Sequence, residues 1–266
     1  MQSRSSNGSF QWNRYWVAFS TIVYKEIRRF TRIWTQTLLP PAITTTLYLL
    51  IFGNLIGSRI GPMDGHNYVD FIVPGVIMLS VITNSYSNVV SSFYSTKFQR
   101  HIEELLVSPI PNWLILAGFV AGGVARGSIV ALVVACVTMV FTNWHIHDFA
   151  VMLCVVLLTA TLFATGGFIN AIYADSFDDI SIVPTFVLTP LTYLGGIFYS
   201  INLLPQFWQS LSLANPILYM INAFRYGILG VSDIDLATAF AIILIFVAAL
   251  VSWALYLLNR GTGIKN

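Results

Sequence analysis

Long apolar runs separated by short polar breaks dominate the chain. A helix needs roughly 20 mostly apolar residues to cross a bilayer, and six stretches reach that length: Trp34–Gly57, Phe71–Ser95, Trp113–Thr142, Phe149–Tyr173, Ile180–Ser200 and Leu236–Leu258. The pattern predicts an all-α membrane protein of six transmembrane helices. A further apolar stretch, Ile201 to Asp235, is broken by Pro205 and Pro216 and is rich in aromatics (Phe207, Trp208, Tyr219, Phe224, Tyr226). Its longest clean run is too short to span, so it is expected to form an external pair of re-entrant or interfacial helices before the last span, with an aromatic belt capping the bundle as the plainer alternative. Ahead of the first span, Trp12, Tyr15, Trp16, Phe19, Ile22, Val23 and Phe30 recur at helical spacing, while Arg14, Lys25, Glu26, Arg28 and Arg29 fall mostly elsewhere around the helix. That predicts an amphipathic helix over residues 11–33, lying in the membrane interface. Residues 1–10 read as a disordered tail and 34–266 as one transmembrane domain. No short apolar core with a small-residue cleavage site marks a signal peptide, and no internal repeat is evident.

Polar residues inside the apolar runs are few and patterned. Ser80, Asn84, Ser87, Asn88, Ser91 and Ser95 are separated by three and four residues, which keeps them on one face of the second helix. Thr185, Thr189, Thr192 and Gly196 repeat the pattern in the fifth, with Tyr193 beside them. Such stripes face either neighbouring helices, through interhelical hydrogen bonds, or a hydrated route for a transported molecule. Gly118, Gly122, Gly123 and Gly127 form two interleaved small-xxx-small pairs that permit close backbone approach. The third run exceeds what the hydrocarbon needs, so its first turns are expected to project into the cytoplasm. Arg126 then lies about one turn inside the inner boundary, from where its stem can snorkel to the headgroups.

Composition agrees that the bilayer is the main solvent: 56% of residues are hydrophobic and 9% charged, against about 25% charged in a soluble domain. A net charge of +2 gives no reason to expect nucleic acid as a partner. The distribution of charge is more telling. Arg4, Arg14, Lys25, Arg28, Arg29 and Arg32 precede the first span, Lys97 and Arg100 lie between the second and third, and Arg260 and Lys265 follow the last, leaving Arg59 and Arg225 opposite. The positive-inside rule makes both termini cytoplasmic. Cys136 and Cys154 fall inside apolar runs, where packing is the default. His145 and His147 flank an external turn, but two histidines without further ligands do not make a metal site.

Several chemistries are excluded. No glycine-rich loop ending in Lys-Ser or Lys-Thr is available to cradle a nucleotide. The spans lack the Asp, Glu or His of a proton relay, and no nucleophile elbow, zinc-protease helix or intramembrane carboxylate pair points to catalysis. Two polar connections remain on the cytoplasmic side. Arg100 to Pro111 contains Glu103, Glu104, Leu105, Leu106 and Val107, a short apolar knob flanked by charge and ended by proline. It suits docking into a groove on a soluble partner, or simply a turn between helices. In Asp175-Ser176-Phe177-Asp178-Asp179, Ser176 and Asp179 have capping-box spacing for the fifth helix.

Phe98-Gln99-Arg100 followed by Glu103 to Val107 and Pro109, then Phe177-Asp178-Asp179-Ile180, Pro184, Pro190, Leu191, Tyr193 and Leu194 to Tyr199, together with Leu204-Pro205, Trp208, Asn215-Pro216, Tyr219 and Phe224-Arg225-Tyr226, resemble the motifs of the ABC-2 family of transporter permeases. The resemblance covers nearly the whole chain. It implies a bacterial inner-membrane exporter of the type V architecture, made of two permease chains and two ATPase chains that hold ATP and magnesium. It further implies that Glu103 to Val107, with Arg100, Asp178 and Asp179, couple to the ATPase. The residue 11–33 segment, with Lys25, Glu26, Arg28 and Arg29, would be the connecting helix. The second and fifth spans would line a path on the dimer axis, closed outside by aromatics near Tyr193 to Tyr199. An ATP-independent channel or carrier and a membrane-embedded scaffold or enzyme are the alternatives from the residues alone, and the amphiphilic substrate, whether drug-like molecule, lipid or glycan, is not readable.

Overall fold

The computed structural model describes residues 6–63, 65–142 and 146–263. Within these, helix follows helix: α1 (Ser6–Arg32), α2 (Trp34–Tyr48), a π-helical stretch (Leu49–Ile56), α3 (Gly57–Ile60), α4 (Tyr68–Phe98), α5 (His101–Val107), α6 (Asn112–Thr138) and α7 (Phe149–Tyr173). Then come α8 (Asp179–Val183), a second π-helical stretch (Pro184–Leu188), α9 (Thr189–Leu194), α10 (Gln206–Leu213), α11 (Pro216–Leu229) and α12 (Leu236–Arg260). Four of them, α4, α6, α7 and α12, are individually long and apolar enough to cross a membrane.

The other two apolar stretches form interrupted helices. Trp34–Gly57 is divided between α2, which contains Pro40 and Pro41, and the π turns that follow. Ile180–Ser200 is divided among α8, the π turns beginning at Pro184, and α9, where Pro190 stands in the first turn. Proline removes a backbone donor and crowds the preceding turn. Thr189 donates both its backbone N–H and, at 2.9 Å, its hydroxyl hydrogen to the Pro184 carbonyl. The fifth segment also ends earlier than expected, at Leu194, and turns at Gly196 with φ 75°.

Helix α4 is the hub, packed along α6 and α7 and also against α11. Phe93 of α4 sits 4.1 Å, centroid to centroid, from Phe168 of α7 and 5.3 Å, edge-on, from Phe119 of α6. The four-glycine pattern on α6 serves two neighbours. Gly118 and Gly122 admit α1, a Cβ on Gly122 meeting the Glu26 Cβ at 2.5 Å; Gly123 and Gly127 admit α4.

Helix α1 departs from the expected surface helix. It begins at Ser6, inside the segment expected to be a tail, and runs lengthwise beside the first half of α6, with Tyr15 edge-on to Trp113 and Ile22 against Gly118. Its buried face is Ile22, Glu26 and Phe30, one helical turn apart, while Trp12, Trp16, Lys25 and Arg28 are exposed. Glu26 is thus on the packed face, not the solvated one, because Gly122 leaves room for its stem.

The Ile201–Asp235 stretch forms two helices, α10 and α11. At 14 residues, α11 is about 21 Å long, too short to span about 30 Å of hydrocarbon, yet it is buried from Ile217 to Arg225 against α4, α7 and α12. Arg225, counted above among external charges, is sunk in the bundle. It stacks 3.9 Å from the Phe71 ring, donates to the Gly196 carbonyl at 2.7 Å and approaches Asp233 at 3.9 Å. The Gly196 turn, which lacks regular helical bonding, is pinned by that contact. Cys136 and Cys154 lie on the exposed surfaces of α6 and α7. His147 packs edge-on against Tyr226, while His145 and Lys265 lie outside the described residues.

If the α1–α6 seam depends on a missing side chain, Gly122→Val should displace α1 and destabilise the protein by about 1–3 kcal/mol. Thermal unfolding in mild detergent, compared with the outward-facing Leu132→Val, checks this; equal melting temperatures would disprove the seam.

Candidate functional site

Three segments converge on a cavity of about 420 Å³. From α4 come Ser80, Thr83, Asn84 and Ser87, with Val76 and Leu79 beside them; from the interrupted fifth segment come Leu188, Thr189, Thr192 and Tyr193. The expected polar stripes of the second and fifth spans therefore do meet. The third wall is α2, which the polar pattern had not singled out. Gln36, Pro40, Thr44 and Tyr48 line it at intervals of four residues, a stripe legible in retrospect but masked by the Pro-Pro pair.

The stripe hydroxyls are largely satisfied by their own helices. Ser80 donates to the Val76 carbonyl at 3.2 Å, the Asn84 amide to Ser80 at 3.0 Å, and Thr192 to Thr189 at 2.8 Å. What faces the cavity is a wall of oxygen acceptors among aliphatic and aromatic carbons, suited to an amphiphilic guest more than to a bare ion. Tyr193, Tyr48, Phe52 and Phe198 gather at one end: Phe52 stacks on Phe198 at 4.7 Å, and Tyr48 and Tyr193 lie 5.5 and 6.3 Å from the same ring. The Tyr68 hydroxyl holds the Phe198 carbonyl at 2.9 Å.

Thr185, Asn88 and Ser91 do not line this cavity. Thr185 is exposed elsewhere. Asn88 and Ser91 instead belong to a charged junction at the other end, where α1, α4 and α6 meet. Arg29 donates through Nη2 to the Asn88 carbonyl and to its Oδ1, at 2.7 and 2.8 Å, and through Nη1 to Ser91 Oγ at 3.3 Å. Glu26, fully buried, accepts from the Ser92 hydroxyl and lies 3.4 Å from Arg29. Arg126 does not snorkel. Its Nη2 turns inward to Asn84 Oδ1 at 3.3 Å, because Asn84 offers an acceptor one helix away whereas the hydrocarbon offers none. Of the connecting-helix residues, then, Glu26 and Arg29 are structural partners of α4, while Lys25 and Arg28 stay on the exposed face.

The two polar connections also come together, at the α5 end. Arg100, in a left-handed turn with φ 59°, reverses the chain from α4 into α5. Ile102 anchors α5 inward, Leu105 packs against the core, Glu103 and Glu104 project outward, and Val107 is 87% exposed; the Leu106 side chain lies outside the described residues. Lys97 donates to the carbonyls of Ile172 and Ala174, both at 2.8 Å, and Tyr94 to that of Asp175 at 2.9 Å. A hollow of about 280 Å³ between Arg100, Glu103 and Asp175 completes this face. The predicted capping box forms: Asp179 accepts from the amides of Asp175 and Ser176, and Ser176 Oγ accepts from the Asp179 amide at 3.2 Å. Those backbone bonds, from Asp175 first, hold the Asp179 carboxyl below its ordinary value. Asp178 is exposed beside it.

The family model for ABC-2 type transporters matches residues 17–229. The inner membrane transport permease YadH of Escherichia coli (strain K12) is 56% identical over 254 residues, 95% of this chain and 98% of its own. Nodulation protein J of Rhizobium leguminosarum bv. viciae is 27% identical over 214 residues, 79% of this chain and 82% of its own.

Two outcomes follow from the charged junction and the cap. Because Arg29 is the charged partner of the fully buried Glu26, their substitutions should couple: E26A and R29A each destabilise, and the double variant falls short of their sum by about 0.5–3 kcal/mol; additivity in thermal unfolding would exclude the pair. Asp179, lowered on folding, stabilises the loop above the ordinary carboxylate value and loses that contribution as acid titrates it through its lowered value. Hydrogen exchange at the Asp175 and Ser176 amides should therefore be slow at neutral pH and, in D179A, which has no side-chain acceptor, fast at both neutral and acid pH; wild-type protection in D179A would refute the cap.

Proposed function

This chain belongs to the ABC-2 type transporter family, a multi-pass inner-membrane permease subunit of an ABC transporter, and from that premise we propose that it exports an amphiphilic molecule using ATP hydrolysed by a separate chain. The observation that carries this reading is the joining, at one end of α4, of two docking loops that the sequence leaves far apart. Arg100 to Val107 and Asp175 to Asp179 form a single face with outward carboxylates and an exposed Val107, while α4 itself continues into the wall of the cavity. A permease with no phosphate-binding loop needs such a face to receive work from an ATPase that holds the nucleotide and magnesium.

On this reading six segments cross the membrane, the interrupted α2 and α8–α9 included, and both termini lie in the cytoplasm with the α5 face, as the distribution of basic residues supports. Helices α10 and α11 form the external re-entrant pair, and the Tyr48–Phe198 aromatics close the outer end of the route. Thr83 and Ser87 are exposed on the membrane-spanning part of α4. Lipid would leave them poorly solvated, which supports a second copy of the chain facing that stripe across a dimer axis. Glycan-linked lipids are one class of amphiphile that such a route suits.

The test is purification of the tagged permease from its native membrane in mild detergent. An ABC ATPase should co-purify, and reversal of both Glu103 and Glu104 to Arg should abolish permease-stimulated ATP hydrolysis while leaving permease yield and melting temperature unchanged. A transport-competent permease that carries no ATPase would establish the channel or carrier alternative instead.

A further inference from the structure

The junction of α1, α4 and α6 holds two guanidiniums and one carboxylate. Arg29 and Arg126 bind successive turns of one helix face, at Asn88 and Asn84, so their anchoring points are about 6 Å apart along α4. Glu26 is fully buried and committed to Arg29 and Ser92. Arg126 has no carboxylate partner among the described residues. It stands 12 residues from the far end of α6 (138 − 126), or about 18 Å, which puts it inside a hydrocarbon core of about 30 Å. A net positive charge at that depth is costly unless something balances it.

The unsatisfied atoms are donors in excess: against one unmet acceptor, Glu26 Oε2, stand three donors. Arg29 Nε, Arg126 Nε and Asn88 Nδ2 are buried donors with no acceptor among the described residues. Three orphan donors and one unmatched positive charge ask for a ligand that brings several acceptor oxygens and negative charge, and guanidinium forks match phosphate oxygens closely. Asn84, which takes the bond from Arg126, is also a wall of the cavity, where Leu79, Leu188 and Tyr48 supply apolar surface. Headgroup and tail requirements are thus met side by side.

We propose that the cavity takes an amphiphile with a phosphate-bearing anionic headgroup, the headgroup seated between Arg29, Arg126 and Asn88 and the apolar part laid along the cavity. This rests on the reading of the cavity as the transport route and narrows its substrate class. Arg29, 31% exposed at its side chain, marks the side from which the headgroup arrives, and the fully buried Glu26 sets how positive the seat is.

The experiment measures binding to the full-length permease in phosphatidylcholine nanodiscs of dodecyl phosphate, dodecyl maltoside and dodecyltrimethylammonium, each with the same fluorescent tail label. Dodecyl phosphate should bind about tenfold tighter than either of the others, the worth of one charge-assisted pair. R126Q should erase that preference, and E26Q, which keeps the side-chain shape but removes the carboxylate described at this junction, should increase it. The two substitutions push in opposite directions, so misfolding of one does not remove the test. Inorganic phosphate at the same concentration should not displace the probe; displacement would make this a free-oxyanion site and overturn the amphiphile. Ser87→Trp, which fills the cavity mouth, separates the two levels of argument. If dodecyl phosphate and maltoside bind equally and both are lost in S87W, the route stands and the anionic headgroup falls. If S87W changes no binding, the route itself fails and the inference with it. A phosphate preference unmoved by both R126Q and E26Q places the headgroup elsewhere and also overturns it.

Discussion

In a bilayer every polar group that water does not reach must be met by protein, and on α4 that requirement shapes everything around it. Ser80, Asn84, Ser85, Asn88, Ser92 and Thr96 are all buried along this one helix. Local bonds to preceding carbonyls satisfy the hydroxyls of Ser80 and Thr96, but the two asparagines and Ser92 reach outward to α6 and α1. The positions of α1, of the α6 glycines and of Arg126 all answer that need. A bare hydrophobic core would have allowed α1 to lie anywhere along the membrane surface; Arg29 and Glu26 fix it to one register on α4.

Much of this was legible in the sequence, for reasons that differ by element. The stripe on the second span and the glycines of the third were readable because a 3.6-residue period survives any environment. The meeting of Ser80, Asn84 and Ser87 with Thr189, Thr192 and Tyr193 followed from the rule that small polar residues avoid lipid. Glu26 was misread because an amphipathic pattern assigns every charge to the wet face, and nothing in α1 itself reveals that Gly122 on another helix makes room for it. Arg126 was misread for the complementary reason. Snorkelling depends only on depth, whereas the bond to Asn84 depends on which face of α6 meets α4. Interruptions at Leu49–Ile56 and Pro184–Leu188 leave hydropathy unchanged, so apolar length alone cannot show them.

The opposite end of the bundle solves the same problem with a different residue. Where the fifth segment stops at Leu194 the backbone leaves regular helix, and Gly75 lets it approach α4 so closely that a Cβ there would lie 2.8 Å from Ile197. A loop so buried needs donors for its carbonyls. Arg225 supplies one to Gly196 and Tyr68 another to Phe198, while Asp233 accepts from Ser200 and Asn202. One arginine on a short helix therefore holds together the turn after the fifth segment, the ring of Phe71 and the loop before α12. That a residue inside the Phe224-Arg225-Tyr226 motif is structural here, and not an exposed charge, explains how α11 can be both short and deeply set.

These two pinned ends leave the walls of the cavity mechanically unequal. Helices α4, α6 and α7 are continuous and meet through glycine contacts, and close-packed interiors of that kind resist gradual deformation. The other two walls, α2 with the π turns after it and α8–α9 with the π turns between them, are built from short helical pieces with prolines. Fewer regular backbone bonds hold each piece to the next, and sharp changes of helix direction are normally accommodated at such sites. On the proposed coupling, a displacement delivered at α5 would pass through the Arg100 turn into α4, which Tyr94 and Lys97 tie to the 172–175 segment. On that reading it is the segmented walls that would yield, moving Tyr48 and Tyr193 relative to the stripe of Ser80, Asn84 and Ser87, so that the polar face would stay constant while the aromatic end would not.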